Sequence, residues 1–247
     1  MLRFMTFFVV ALMTITIPPT LSAAEPDLVF LLIGQSNMAG RAPLEAEDKT
    51  PIEGVMLLNA DGTWEAANNP LNRYATDRKK ISMQRLGPGD GFARTLHEAM
   101  PDKTIGLIVN ARGGTKIDEW VPGKPLYDHT IARINKLDKK PDFASVIWHQ
   151  GEGNATDPEY LPKLVALVKN LRRDLKQPDL LFVAGEVYGE KPVNGRMQKL
   201  PTKLDGTAVV SASELTVFDG VHFDRDSQKT LGSRYAKAWL KLHAPAK

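Results

Sequence analysis

Five short apolar runs recur along the chain: Leu28 to Ile33, Thr104 to Asn110, Phe143 to Trp148, Leu180 to Val187 and Thr207 to Ser211. Their length and β-branched content predict strands. Apolarity is nearly continuous within each run, without the polar alternation of a half-exposed sheet, so both faces are expected to be covered, as in a parallel sheet. Between the runs lie segments with helical spacing: Gly91 to Met100, Leu126 to Leu137, Pro158 to Leu175, Asn194 to Leu204 and Asp226 to His243. In the third of these, Leu164, Leu167, Val168, Leu171 and Leu175 fall on one face, with Pro158 suited to a first helical position and Asp157 to its cap.

This alternation predicts an α/β fold, a three-layer α/β/α sandwich around a mainly parallel five-stranded sheet. The segment from Arg41 to Asp90 breaks the pattern, being rich in Pro, Gly, Asn and charge, with a short strand pair expected around the Asp61 and Gly62 turn. It reads either as a substrate-binding excursion or as a solvent-facing elaboration. Residues 1–24 stand apart: Arg3 precedes an apolar run from Phe4 to Ile17, then Pro18, Pro19 and small residues. That order predicts a secretory signal peptide cut after Ala24. The run is short for the roughly 20 residues of a membrane anchor. Residues 25–247 then form a single domain, secreted or periplasmic.

Composition narrows the chemistry. The 247 residues carry a formal charge of +3 with scattered basic residues, which gives no footing for a nucleic-acid partner. No later stretch suggests an integral membrane partner. There is no cysteine, so disulfides, thiolate metal sites and a Cys nucleophile are excluded. Stability must come from the core, which a mature chain of about 220 residues supplies by burying around 70% of its unfolded surface.

In a parallel α/β sheet, ligands gather at the carboxyl ends of the strands. After the first run come Gly34, Gln35, Ser36 and Asn37; after the second, Gly113 and Gly114; after the third, His149, Gln150, Gly151 and Glu152; after the fifth, Asp219 and His222. A serine hydroxyl becomes a nucleophile when an imidazole takes its proton and a carboxylate holds that imidazole. Ser36, His222 and Asp219 have these chemistries. Oxyanion donors are available in the backbone N–H of Ser36, that of Gly114 or Gly113, and the Gln150 amide. His97 and His243 read as surface positions, His129 as the opening of a helix, and His149 as a packed strand-end residue. Metal coordination is a rival use of His222 with Asp219 and Asp224, or of His149 with Glu152. No HExxH or other firm ligand spacing accompanies them. There is also no GxSxG elbow and no phosphate-binding loop.

Four blocks, GQSNMAGR, NARGGTKIDEW, WHQGEGNA and DGVHF, span residues 34–223 in that order. Together they resemble the sialate O-acetylesterase-like group of the SGNH hydrolase superfamily, carbohydrate esterase family 6. The resemblance implies a flavodoxin-like sandwich and hydrolysis of acetyl esters on carbohydrates without a metal or other cofactor. It implies Ser36 as nucleophile, His222 as base and Asp219 as its partner, with Gln150 and Gly114 at the oxyanion hole. Glu152 stands as a second acid, either orienting His222 or supporting the Ser36 loop. Two other readings share this fold: a noncatalytic carbohydrate-binding protein, and an esterase or lipase for aryl or lipid esters. Trp64, Asn68, Asn69, Asn72 and Tyr74 of the insertion lean towards a sugar surface; Trp120 and Trp148 are further candidates for a sugar subsite, with core packing the expected role of Trp148.

Overall fold

A computed structural model describes residues 25–244. The leader reading falls on residues 1–24, outside them. One sheet holds seven strands: β1 (Leu28–Gly34), β2 (Val55–Leu58), β3 (Trp64–Ala66), β4 (Ile105–Ala111), β5 (Phe143–His149), β6 (Phe182–Gly185) and β7 (Thr207–Val210). Their order is β3-β2-β4-β1-β5-β6-β7. All neighbouring strands are parallel except β2 and β3. The sheet is therefore two strands wider than the five apolar runs suggest. The hairpin expected around Asp61 and Gly62 does not stand apart: Val55 of β2 pairs with Ile105 of β4. This pairing satisfies backbone groups of β4 that burial would otherwise leave without water.

Among the described residues, six helices accompany the sheet: α1 (Ser36–Ala39), α2 (Gly89–Ala99), α3 (Pro125–Asn135), α4 (Tyr160–Asp174), α5 (Pro192–Met197) and α6 (Arg225–His243). Successive strand residues point to opposite faces, and β1 shows the result. Phe30 and Leu32 pack with Phe92 and Leu96 of α2 and with Leu231, Tyr235 and Trp239 of α6. Leu31 and Ile33 pack with Ile134 of α3, Leu164 and Leu171 of α4 and Val193 of α5. Two cores, one on each side, explain why the run has no polar alternation. Phe30 meets Phe92 and Trp239 edge-on, each at 5.0 Å between ring centroids.

Two helix boundaries differ from expectation. Helix α4 starts at Tyr160, two residues beyond Pro158, because Asp157 accepts the backbone N–H of Glu159 at 2.9 Å and closes a turn there. The expected Asn194 to Leu204 helix is α5 followed by a separate turn at Leu200–Thr202. Pro201 lacks the N–H a continuous helix needs.

The insertion is tied down at both ends of its course. Asp48, fully buried, receives Arg225 Nε at 2.7 Å and Lys229 Nζ at 2.8 Å from α6. Burial pushes this carboxyl up, but the hydrogen bonds from the two cations outweigh it and hold it far below the usual carboxylate range. Asn72 bonds both the C=O and the N–H of Ala111, at 3.0 and 2.9 Å, at the end of β4. A segment anchored in this way is part of the sandwich rather than a solvent-facing elaboration. Among the described residues, no helix is long and apolar enough to cross a membrane.

Candidate active site

The chain moves to one side of β1 for β2, β3 and β4, then to the other for β5, β6 and β7. The carboxyl end of β1 is thus the switch point of the sheet, where parallel α/β folds open a crevice. Ser36 lies there, one residue past the Gln35 N–H that bonds the His149 carbonyl at 2.8 Å. It begins the short helix α1.

The loop before α6 reaches the same point. Val217 and Phe223 form an antiparallel bridge, and the Phe218 N–H donates to the His222 carbonyl at 3.0 Å, so the residues between them make a tight turn. Asp219 faces back into that turn. Its Oδ1 accepts the N–H groups of His222 at 2.7 Å and Val221 at 3.1 Å, and its Oδ2 lies 2.6 Å from His222 Nδ1. His222 Nε2 in turn lies 3.0 Å from Ser36 Oγ. Burial raises the Asp219 carboxyl, yet the His222 ring and the two backbone donors bring it below its ordinary value. It is therefore ionised at neutral pH. A carboxylate, an imidazole and a hydroxyl in a hydrogen-bonded line can carry the serine proton away as the hydroxyl attacks a carbonyl. Phe218, half exposed, stacks on His222 with 6.1 Å between centroids.

The donor groups separate into two kinds. The Ser36 N–H is in the first turn of α1, where no intrahelical acceptor exists. Gly113 abuts it: a Cβ there would stand 3.2 Å from Ser36 Cβ and 2.5 Å from an Arg41 guanidinium nitrogen. Gly114 has φ +77, a left-handed conformation suited to glycine. Gln150 differs from expectation. It is fully buried, and its Nε2 is given to Gln35 Oε1 at 3.2 Å, the Thr115 carbonyl at 3.1 Å and Asn154 Oδ1 at 2.8 Å. Two protons shared among three internal acceptors leave no free donor for an oxyanion, so Gln150 braces the loops that carry Gly114 and Gln35.

Glu152 does not contact His222, whose Nδ1 is already met by Asp219. It accepts Asn37 Nδ2 at 2.6 Å and faces His149 Nε2 at 3.7 Å. Of its two expected roles, support of the Ser36 loop is the one the contacts fit. Asp224 caps α6 by accepting the Ser227 N–H at 2.9 Å. Among the described residues, no group of three or more His, Asp or Glu is arranged to hold a metal ion. Elsewhere, His129 pairs with Asp77 at 3.0 Å and His243 stacks on Trp239 at 4.6 Å.

Trp64 and Trp120, candidates for a sugar surface, are internal, and Trp148 packs in the core as expected. Trp120 and Trp148 are fully buried and meet edge to face at 5.4 Å, and Trp64 is buried in the same core. Asn69 bonds Asp90 at 2.7 Å and Asn72 holds β4, so these amides secure the insertion. Two cavities share residues with the loops around the site. A cavity of about 380 Å³ is lined by Asp77, Lys79, Arg112, Gly113, Gly114 and Lys124. A smaller one of about 210 Å³ is lined by Glu152, Val187, Tyr188, Lys191, Gly220 and Val221. Lys79 and Arg41, which approach the two glycines, carry no signal in the sequence beyond being charged residues of the insertion.

A sequence model of the family described as "Carbohydrate esterase, sialic acid-specific acetylesterase" matches residues 26–241. The chain belongs to this family. It is 32% identical over 250 residues to a probable carbohydrate esterase of Arabidopsis thaliana, covering 90% of this chain and 94% of that one. The crystal structure of an Arabidopsis thaliana protein superposes with a TM-score of 0.78 at 30% identity, over 88% of this chain and 99% of that chain. NanS shares the fold, with a TM-score of 0.67 at 17% identity over 89% and 98% of the two chains. The three-layer SGNH-type sandwich expected from the four sequence blocks is thus the fold of the family, and deacetylation of carbohydrates is the family's activity.

Proposed function

We propose that this member of the family is an exported serine esterase that removes O-acetyl groups from carbohydrates through an acyl-enzyme. The observation that carries the reading is the hydrogen-bonded line from Ser36 Oγ through His222 to Asp219, at 3.0 and 2.6 Å. Ser36 Oγ attacks the acetyl carbonyl carbon while His222 Nε2 takes the hydroxyl proton. The N–H groups of Ser36 and Gly114 receive the negative charge that forms on the carbonyl oxygen. Collapse breaks the bond to the sugar oxygen, which takes the proton back from His222, leaving the acetyl group on Ser36. Water then attacks that ester while His222 takes a proton from it; collapse breaks the bond to Ser36 Oγ, which takes the proton back from His222, and the acetic acid released ionises to acetate. Asp219 keeps Nδ1 protonated, so that Nε2 is the free base.

Asp77, Lys79, Arg112 and Lys124, which line the cavity beside Gly113 and Gly114, offer hydrogen-bonding groups to a hydroxyl-rich substrate. Export rests on residues 1–24 and is checked by the mass of the mature protein, expected to begin at Glu25. The chemistry is tested with S36A: turnover of a small acetyl ester is expected to fall by about 10⁶-fold in kcat with an unchanged melting temperature. Wild-type turnover in S36A would remove the assignment.

A further inference from the structure

The residue after the serine has no part in the reaction just described, yet it is tied to the histidine loop more closely than Ser36 is. Asn37 is fully buried. Its Oδ1 accepts the Phe223 N–H at 3.1 Å and Gln228 Nε2 at 3.1 Å. Its Nδ2 donates to the Val221 carbonyl at 3.2 Å and to Glu152 Oε1 at 2.6 Å. A carboxamide has two donor protons and two acceptor lone pairs, and here all four are used. Two of them hold peptide groups of Val221 and Phe223, the residues on either side of His222.

We propose that Asn37 is a positioning residue that sets the separation of Ser36 and His222, and that Glu152 keeps its amide the right way round. The orientation is forced by chemistry. Turning the amide over would place Oδ1 against the Val221 carbonyl and the Glu152 carboxylate, both acceptors, and would aim Nδ2 at two donors. His149 Nε2 faces the same Oε1 from the other side, at 3.7 Å. Serine and histidine come from loops 186 residues apart, and Asn37 joins them through one rigid side chain whose Cα neighbours that of Ser36. A base misplaced by about 1 Å can lose two orders of magnitude in rate. Asn37 therefore acts on kcat through His222, without touching substrate.

This inference rests on the Ser36 and His222 reading above. It is tested by steady-state kinetics on a small acetyl ester with the whole protein, by melts, and by the rate at which a fluorophosphonate labels Ser36. N37A is expected to lower kcat about 10²-fold with KM within about threefold, and to slow labelling by a similar factor. N37D, nearly isosteric, is expected to lose more than N37A, because it sets an acceptor against two acceptors; simple space filling would give the opposite order. E152A is expected to lose about tenfold in kcat. E152Q, whose amide oxygen still accepts from Asn37, should recover most of that loss. A folded N37A with kcat and labelling within threefold of wild type overturns the proposal, and so does an E152Q as impaired as E152A. Should the Asn37 variants fail to fold, the Glu152 pair decides alone. S36A in the same assay separates the two readings. Turnover in S36A removes the esterase chemistry, whereas an inactive S36A beside an unimpaired N37A removes only the positioning role.

Discussion

Two pairs of acid and histidine lie at the carboxyl edge of the sheet, the partners of each three residues apart, and they differ in almost every physical respect. Asp219 and His222 sit at the rim, with side chains 40% and 23% exposed and 2.6 Å between them. Glu152 and His149 are inside, 14% and 0% exposed and 3.7 Å apart. The outer histidine has one nitrogen on a carboxylate and the other on a serine hydroxyl. The inner one has Nδ1 on the Tyr235 hydroxyl at 2.8 Å and Nε2 towards Glu152. An acid and a histidine stand three residues apart in both, but access and partners differ: the outer pair reaches the surface and Ser36, and the inner pair is enclosed. A histidine needs an open face and a substrate-side neighbour to move a proton, and enclosure deprives His149 of both.

The widest gap between the pairs should appear in rate. H222A is expected to lower kcat by about 10⁴- to 10⁶-fold with little change in melting temperature, since a base acting with a nucleophile fails as a unit. Kinetics with a small acetyl ester checks this, and a loss below tenfold would erase the distinction drawn here. Next comes D219N, which leaves the geometry but favours the wrong tautomer of His222. A loss of roughly 10²- to 10⁴-fold in kcat is expected, measured in the same way.

H149A should reverse the profile, costing about 3 kcal/mol of stability through a cavity and unpaired polar groups, read by urea unfolding, while kcat falls by less than tenfold. The smallest effect concerns acid. Burial raises the Glu152 carboxyl, and His149 and Asn37 lower it further than burial raises it. Its folded value thus lies below the unfolded one, near 4.3. The stability it contributes is complete above that unfolded value and is lost as pH falls through the folded one. E152Q should therefore flatten the decline of stability with pH in that acid window, as unfolding curves at a series of pH values will show. An unaltered slope would mean that the inner pair carries no such linkage.

The sequence made the sandwich legible because β1, β4 and β5 are covered on both faces, which leaves continuous apolar runs of strand length separated by helical spacing. Ser36, Asp219 and His222 were legible for a related reason: each follows an apolar run, and the carboxyl ends of parallel strands converge in space. The hairpin at Asp61 and Gly62 was visible, but its attachment to β4 was not, since register across 50 residues leaves no local mark. Gln150, Glu152 and Asn37 show the other limit. Each is a polar residue just past a strand, where turn chemistry and catalytic chemistry use the same side chains. Only the identity of the hydrogen-bond partner separates a donor to substrate from a brace. Trp64 and Trp120 misled for a similar reason, having the chemistry of a sugar platform and the burial of a core, whereas Trp148, inside a strand run, was legible as core.

Ser36 follows the central strand of the sheet, while the histidine that meets it lies 186 residues later. Every strand and helix between them must be laid down before the two can touch. Long-range contacts of this kind are reached slowly, so competence is a late event in the maturation of the chain. A refolding population should regain its helical circular dichroism before it regains hydrolysis. Acetate release from a small acetyl ester then serves as a clock for the final closure of the fold.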